Sequence, residues 1–252
     1  MKSKHDDKSS RHWEKRSEKS WENFTFQQPY QKGLTRLREE VLAKTNFDPA
    51  TLWQWGTMQA MAIIEILKSV EGKFGAEGQQ IIFESLKQVG YDVGRQITEG
   101  TDIPDDMTNS EWISFFATVI NRIAYASLES PELENESKAN FHIDWCPHQD
   151  HYKAFDCRVQ RYFVQGMIDA ALDFCREQGR DDIWDVAFKT TIPSGNETCF
   201  FEIQRGNPDE ARKWSEYTRL IEQKALEIAA KKAGQKKEQT GKRVKKLDTG
   251  YA

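Results

Sequence analysis

Residues 141–178 read FHIDWCPHQDHYKAFDCRVQRYFVQGMIDAALDFCREQ, and the hydrophobic period changes inside that stretch. Phe141, Ile143 and Trp145 alternate with His142, Asp144 and Cys146, a two-residue repeat that predicts a strand with the two sets on opposite faces. Pro147 closes it. From about Gln149 to Gln178 the repeat becomes helical. Tyr152, Phe155, Val159, Tyr162, Phe163, Met167, Ala170 and Phe174 fall on one side, and Cys157, Val164, Ile168, Leu172 and Cys175 on the other. A helix that is apolar on both sides is expected between two layers, with Gly179 as its C-terminal stop.

The flanking segments fit that centre. Upstream, Asp48 and Pro49 open a helix whose expected core positions are Leu52, Trp55, Met58, Ala62, Ile63, Ile66 and Val70. A second helix is expected over Ala76–Thr98, burying Ile81, Ile82, Leu86, Val89, Tyr91 and Val93, and a third from Ser110 to Ala124 behind a Thr108 or Asn109 cap. Gly90 and Gly94 interrupt the second on one face, a cost of about 1 kcal/mol each that close packing or a ligand must offset. Downstream, strands over Ile183–Ile192 and Glu197–Gln204 flank the hairpin sequence Pro193-Ser194-Gly195-Asn196. A last helix starts near Pro208. The expectation is an α+β fold: N-terminal helices, a small antiparallel sheet packed on a long central helix, and a C-terminal helix.

Three regions follow along the chain: a charged flexible arm over 1–30, a single α+β domain over 31–230, and a basic disordered tail over 231–252. The net charge of −4 hides an uneven distribution. Lys231–Asp248 holds eight basic and two acidic residues, and the 28 basic and 38 acidic residues before it make an acidic body. That body excludes a protein that coats nucleic acid, and the tail, which lacks interleaved aromatics, reads as a solvated helix end. Trp13, Trp21, Phe24, Phe26 and Tyr30 are expected to dock the arm on the body or on a second subunit, so a homo-oligomer stays open. No apolar run approaches the ~20 residues of a membrane span. No secretory signal is read at the N-terminus. With only four cysteines, reduced thiols in a cytoplasm are expected.

Candidate chemistry concentrates at residues 142–151, HIDWCPHQDH, which hold three of the five histidines. His142, Asp144 and Cys146 would share a strand face, with His148 and His151 at the mouth of the following helix. That helix N-terminus would lower the Cys146 pKa and hold an anion. Cys146 as nucleophile with His142 or His148 as acid/base is one reading. A divalent metal held among His142, Cys146, His148 and His151 is another, and a solvated strand edge a third. Asp169 and Asp173 lie on the margin of the central helix; Asp169 would fit a general base or an acceptor for a cationic ligand nitrogen, and the alternative is a salt bridge to Arg161, Arg176 or another helix. Cys157 and Cys175, about 27 Å apart along the helix at 1.5 Å per residue, cannot pair and read as core thiols. Cys199 reads as a small inward residue on the last strand. Glycine-rich nucleotide-binding signatures are absent.

Gly90 to Gly94, the strand ending in Cys146-Pro147, the long helix, and Gly195, Cys199 and Phe201 together resemble the L-2-amino-thiazoline-4-carboxylic acid hydrolase-like family, over roughly residues 55–204. The resemblance implies an α+β domain that opens a C–N bond of a small cyclic amidine, with Cys146, Asp169 and Cys199 as the positions carried over. Gly90, Gly94 and Asp173 are further substrate-binding candidates, and the histidines, helix N-terminus and carboxylates of the expected pocket suit a small zwitterion. The chain departs from the family where Gly166 stands in place of the cysteine of a Cys-x-x-Asp pattern. The same features are similar to 4-vinyl-reductase-type ligand-binding domains, which implies a sensor or carrier instead.

Overall fold

The computed structural model describes residues 24–44, 46–180, 183–207 and 212–248, with side chains as far as residue 235. Trp13 and Trp21 lie outside the described residues. The architecture of the described residues is α+β, with five helices and one four-stranded antiparallel sheet. In chain order these are α1 (Gln31–Arg36), α2 (Ala50–Thr98), α3 (Asn109–Ile120), β1 (Leu128–Asn135), β2 (Lys138–Trp145), α4 (Arg158–Glu177), β3 (Trp184–Thr190), β4 (Cys199–Arg205) and α5 (Lys213–Asp248). α1 and α3 each run on into a wider turn, Leu37–Leu42 and Asn121–Tyr125 respectively.

The helix boundaries follow local chemistry. The Asp48 carboxylate accepts the Ala50 N–H at 2.9 Å, as expected of a cap. Thr108 and Glu111 form a reciprocal capping box at the start of α3. Gly179, at φ +69°, ends α4 as expected. The two helices expected over 48–98 are joined as α2 by a corner at Gly75, whose φ of 62° and ψ of −137° suit glycine. The corner is sharp enough for Gln79 to donate to Glu71 at 2.7 Å, eight residues back.

The face that α2 buries agrees with the expected one only in part: Ile63, Ile82, Leu86 and Val93 pack inward as expected. Ala60, Ile64 and Leu67 enter the core, whereas Trp55, Met58 and Ile66 are each more than half exposed. The segment is apolar on two sides, and the side presented to α4 wins. Ile81 and Val89 are likewise exposed, while Gly90, Val93, Gly94 and Ile97 face inward. These small positions set the distance between α2 and α4. A Cβ on Gly90 would overlap the Phe163 carbonyl, and one on Gly94 would lie 2.7 Å from Ala170 Cβ. From the other side, a Cβ on Gly166 would overlap the Lys87 carbonyl and sit 2.5 Å from the Tyr91 nitrogen. Three glycines thus bring two helix backbones into contact.

The sheet order is β1-β2-β4-β3. β1, with Pro131 at an edge position, is a fourth strand that the sequence pattern does not predict. Ala139, Phe141 and Ile143 of β2 pair with Ile203, Phe201 and Cys199 of β4, and Val186 and Phe188 of β3 continue the same face. Phe141 and Phe188 both stack on Phe201 at 5.2 Å between centroids. This inner face packs towards α3, α4 and the start of α5. Phe24 and Phe26 meet the Phe115 ring edge-on at 5.2 and 4.9 Å, so this part of the arm docks on the body, whereas Tyr30 is exposed. At the other end, α5 continues as helix to Asp248 through the basic segment expected to be disordered. Alanine, lysine and glutamine propagate the helix already nucleated at Lys213.

Candidate functional site

β2 ends at Trp145, and two tight turns follow. The Gln149 N–H donates to the Cys146 carbonyl at 3.1 Å, and the Gln149 side chain accepts the Cys146 N–H at 3.3 Å. The His148 carbonyl then accepts the N–H groups of His151 and Tyr152. These turns rotate Cys146 off the strand alternation and place it with Ile143 on the inner side of the sheet. A short 3-10 turn, Ala154–Cys157, leads into α4. The central helix therefore begins at Arg158, and Cys146 is not part of its N-terminal turn. Instead of being lowered, its thiol is pushed up to about 11 by burial.

Cys146 lines a cavity of about 40 Å³ beneath the sheet. Cys157 and Cys199 line it too, so three of the four thiols meet one space. Burial raises the pKa of both. Tyr125, Tyr152 and Tyr217 supply aromatic walls. His148 stacks on Tyr152 at 4.7 Å, and burial, followed by the charge of His151, lowers its pKa. The floor is Arg161, which is 2 % exposed. Its guanidinium lies 3.7 Å over the Trp214 ring and within 5 Å of the Phe188 and Tyr217 rings. Nη2 donates to the Trp214 carbonyl and to Thr218 Oγ1, both at 2.8 Å, and Nε to Thr218 Oγ1 at 3.0 Å. Burial lowers its pKa to about 10, which leaves it a cation at neutral pH.

A second cavity of about 100 Å³ adjoins the first, and the two share Asn121, Tyr125, Phe188 and Phe201 as walls. Its other walls are mostly apolar: Ile113, Phe116 and Ile120 from α3, Ile168 and Leu172 from α4, and Trp184, Val186 and Ile203 from the sheet. Gln165, Asp185 and Arg212 contribute polar groups, the first two of them hydrogen-bonded to Trp214. An engineered apolar cavity of ~150 Å³ holds a benzene ring, so space on this scale suits one ring or a short chain.

The remaining predicted residues fall elsewhere. His142 alternates to the outer face of the sheet, where it stacks on Phe200 at 4.5 Å, and so cannot serve Cys146 as base. Asp144 is beside it, accepting from Ser130 at 2.9 Å. Asp169 pairs with Lys87 at 2.7 Å and accepts from Gln165, also at 2.7 Å. Asp173 accepts from Tyr91 at 3.0 Å and from Arg176 at 2.8 Å. Both aspartates satisfy α2 and their own helix and line neither cavity. Gly90 and Gly94 are packing positions against α4 and line neither cavity. Among the described residues no three His, Cys, Asp or Glu side chains converge as a metal site, because the strand and the turns send His142 one way and Cys146 and His148 the other. Of the predicted residues, Cys146, His148 and Cys199 are brought together.

Arg161, Cys157 and the tyrosines are additions to the site. Arg161 carried a signal in the sequence. It falls in the stripe Cys157, Val164, Ile168, Leu172, Cys175 at helical spacing, a charge in an otherwise apolar row.

No protein-family model matches the sequence. It is 49 % identical over 216 residues to an uncharacterized protein of Archaeoglobus fulgidus, a match spanning 85 % of this chain and 95 % of the archaeal one. The chain belongs to the family of that archaeal protein. Among solved structures, a trafficking protein particle complex subunit 3 from Naegleria fowleri, crystallised covalently bound to palmitic acid, is 13 % identical with a TM-score of 0.42. That likeness covers 63 % of this chain and 97 % of the other. Among the described residues of this family member, no helix is long and apolar enough to cross a membrane.

Proposed function

We propose that this chain binds a small, mainly apolar molecule between α4 and the inner face of the sheet, as a carrier or sensor rather than a catalyst. The supporting observation is the pair of adjoining cavities, walled by aliphatic and aromatic side chains drawn from α3, α4, the sheet and α5. The protonated state of the three cavity thiols supports binding over catalysis, since a thiol and not a thiolate faces the space. The walls favour an apolar molecule over the zwitterion that the histidine cluster suggested. All four cysteines are free, which fits a reducing, cytoplasmic setting.

The test is ligand-dependent melting of the full chain with toluene and indole. A saturable rise in Tm is expected, and the Leu172→Trp variant, which fills the larger cavity, should abolish it while staying folded. No saturable shift with either compound would end the reading. At a ligand concentration of 100 Kd the linkage is about 2.7 kcal/mol, large enough to read.

Cys146 and His148 line one cavity, and that shared lining supports a second, hydrolytic reading on a thiazoline-type ring. Turnover of such rings by the wild type, lost in Cys146→Ser, would replace the first reading with this one.

A further inference from the structure

α4 buries two cations, Arg158, which is paired with Glu71, and Arg161, which differs from it in what it lacks. Its Nε and Nη2 are satisfied by Thr218 and the Trp214 carbonyl, but Nη1, fully buried, meets no acceptor among the described residues. No carboxylate among those residues makes an ion pair with it. Glu222, which makes no hydrogen bond or ion pair with it, is itself held towards its neutral form by burial. A buried guanidinium with an unused N–H pair costs several kcal/mol unless something compensates it. The rings of Trp214, Phe188 and Tyr217 stabilise the cation through its π faces, but they accept nothing at its edge. That edge belongs to a residue lining the thiol cavity. Two further buried atoms of the same lining, His148 Nδ1 and Gln160 Oε1, also meet no partner among the described residues.

We propose that Arg161 anchors the carboxylate of an apolar monocarboxylic acid, whose alkyl or aryl body extends past Phe188 and Phe201 into the larger cavity. This inference rests on the ligand-binding reading above and specifies its ligand class. The charge balance selects a monoanion. One carboxylate neutralises one guanidinium, whereas a phosphate dianion would leave a net charge in a space walled by thiols and rings. His148 lines the same cavity, and with its proton on Nδ1 its imidazole would donate to the same carboxylate. The division between a polar anchor and an apolar body follows the two cavities.

The experiment uses the full chain and two matched pairs, hexanoate against hexanamide and phenylacetate against phenylacetamide, in calorimetry and thermal-shift titrations at pH 7.5. The wild type should bind at least one acid tenfold or more tighter than its amide, and which acid wins tells an alkyl from an aryl ligand. Arg161→Gln should bind acid and amide equally, and Arg161→Lys should retain part of the preference. Should the Arg161 variants fail to fold, the acid-over-amide ratio of the wild type, and its fall as salt rises, decide the matter without them. Equal affinity for acid and amide would overturn the anchor and leave the apolar-ligand reading standing, with water as the partner of Nη1. No binding by any of the four, with toluene and indole still active, would also overturn the anchor. Failure of every compound would take both readings down together.

Discussion

Arg158 and Arg161 lie three residues apart on α4, and both are buried, yet their surroundings are opposites. The Arg158 side chain is fully buried and fully answered. Nε and Nη2 meet the two oxygens of Glu71 at 3.1 and 2.6 Å, and Nη1 donates to the Phe155 carbonyl at 2.7 Å with Asp156 at 3.6 Å. Gln79 closes the network from across the Gly75 corner. Arg161, on the side of the helix turned to the sheet, has rings, one hydroxyl and one carbonyl, and no carboxylate among the described residues. A cation matched by its own chain is structural, and the unmatched one beside a cavity is the anchor we propose for a ligand. On that proposal the same helix carries a joint on one face and a receptor on the other.

The largest expected effect breaks the joint. Glu71→Ala strands the Arg158 charge in the core and should cost about 3–5 kcal/mol. For a chain of this size each kcal/mol moves Tm by about 2–4 °C, so a fall on the order of 10 °C is expected in a melt. Replacing both partners, Glu71→Met with Arg158→Met, should recover much of that loss, because no unpaired charge remains. Arg161→Met should cost less than Glu71→Ala, since it strands hydrogen-bonding groups but no charge. Equal losses for Glu71→Ala and Arg161→Met would erase the distinction between the two arginines.

The next effect is smaller and separates the two faces of α4. Gly166→Ala drives a Cβ into the Lys87 carbonyl and towards the Tyr91 nitrogen, both backbone and hence unable to swing aside. Overpacking of this kind costs about 1–3 kcal/mol. The displaced contact lies between α4 and α2, not between α4 and the sheet. Chemical denaturation should therefore show the loss, while affinity for the cavity ligands changes by less than about twofold, the scatter expected between independent sites. A parallel collapse of ligand affinity would show that the receptor depends on the joint.

The same glycine shows how far the sequence was readable. Period and punctuation carried most of the architecture: the two-residue repeat of β2, the double-sided stripe of α4, the Gly179 stop and the Thr108 cap were all legible. β1 was not, because LESPELEN is polar and carries Pro131, and only its pairing with β2 makes it a strand. The buried face of α2 was misjudged in part, for the complementary reason. A helix apolar on two sides does not declare which side finds a partner. Gly166 stood out only as a missing cysteine, while its meaning, contact between two backbones, depends on a helix some 75 residues away. The candidate site was half visible. Cys146, His148 and Cys199 were marked by type and crowding, but alternation sent Cys146 to the wrong face because the turn after Trp145 rotates it. Arg161 went unremarked as a site residue because a charge on a helix is ordinarily solvated, and only tertiary packing reveals that this one is not.

The smallest effect concerns the thiol that the receptor face encloses. Burial pushes the Cys146 thiol up to about 11 in the folded chain from its ordinary value of 9.0. Between those values the unfolded chain has released the proton that the native chain still holds. The native state then binds more protons, and stability falls as pH rises. The contribution is fully present below pH 9 and is lost on the way to 11. Wild-type denaturation midpoints should accordingly drop across that window by more than those of Cys146→Ser, whose hydroxyl does not titrate there. Iodoacetamide provides the kinetic counterpart. Alkylation of Cys146 in the folded chain should be slow at pH 7.5, rise about tenfold per pH unit, and level off only near 11, because the thiolate is the nucleophile. Rapid alkylation at neutral pH would mean an activated thiol, and the cavity under the sheet would then be a place for covalent chemistry, with Arg161 orienting the substrate instead of simply holding it.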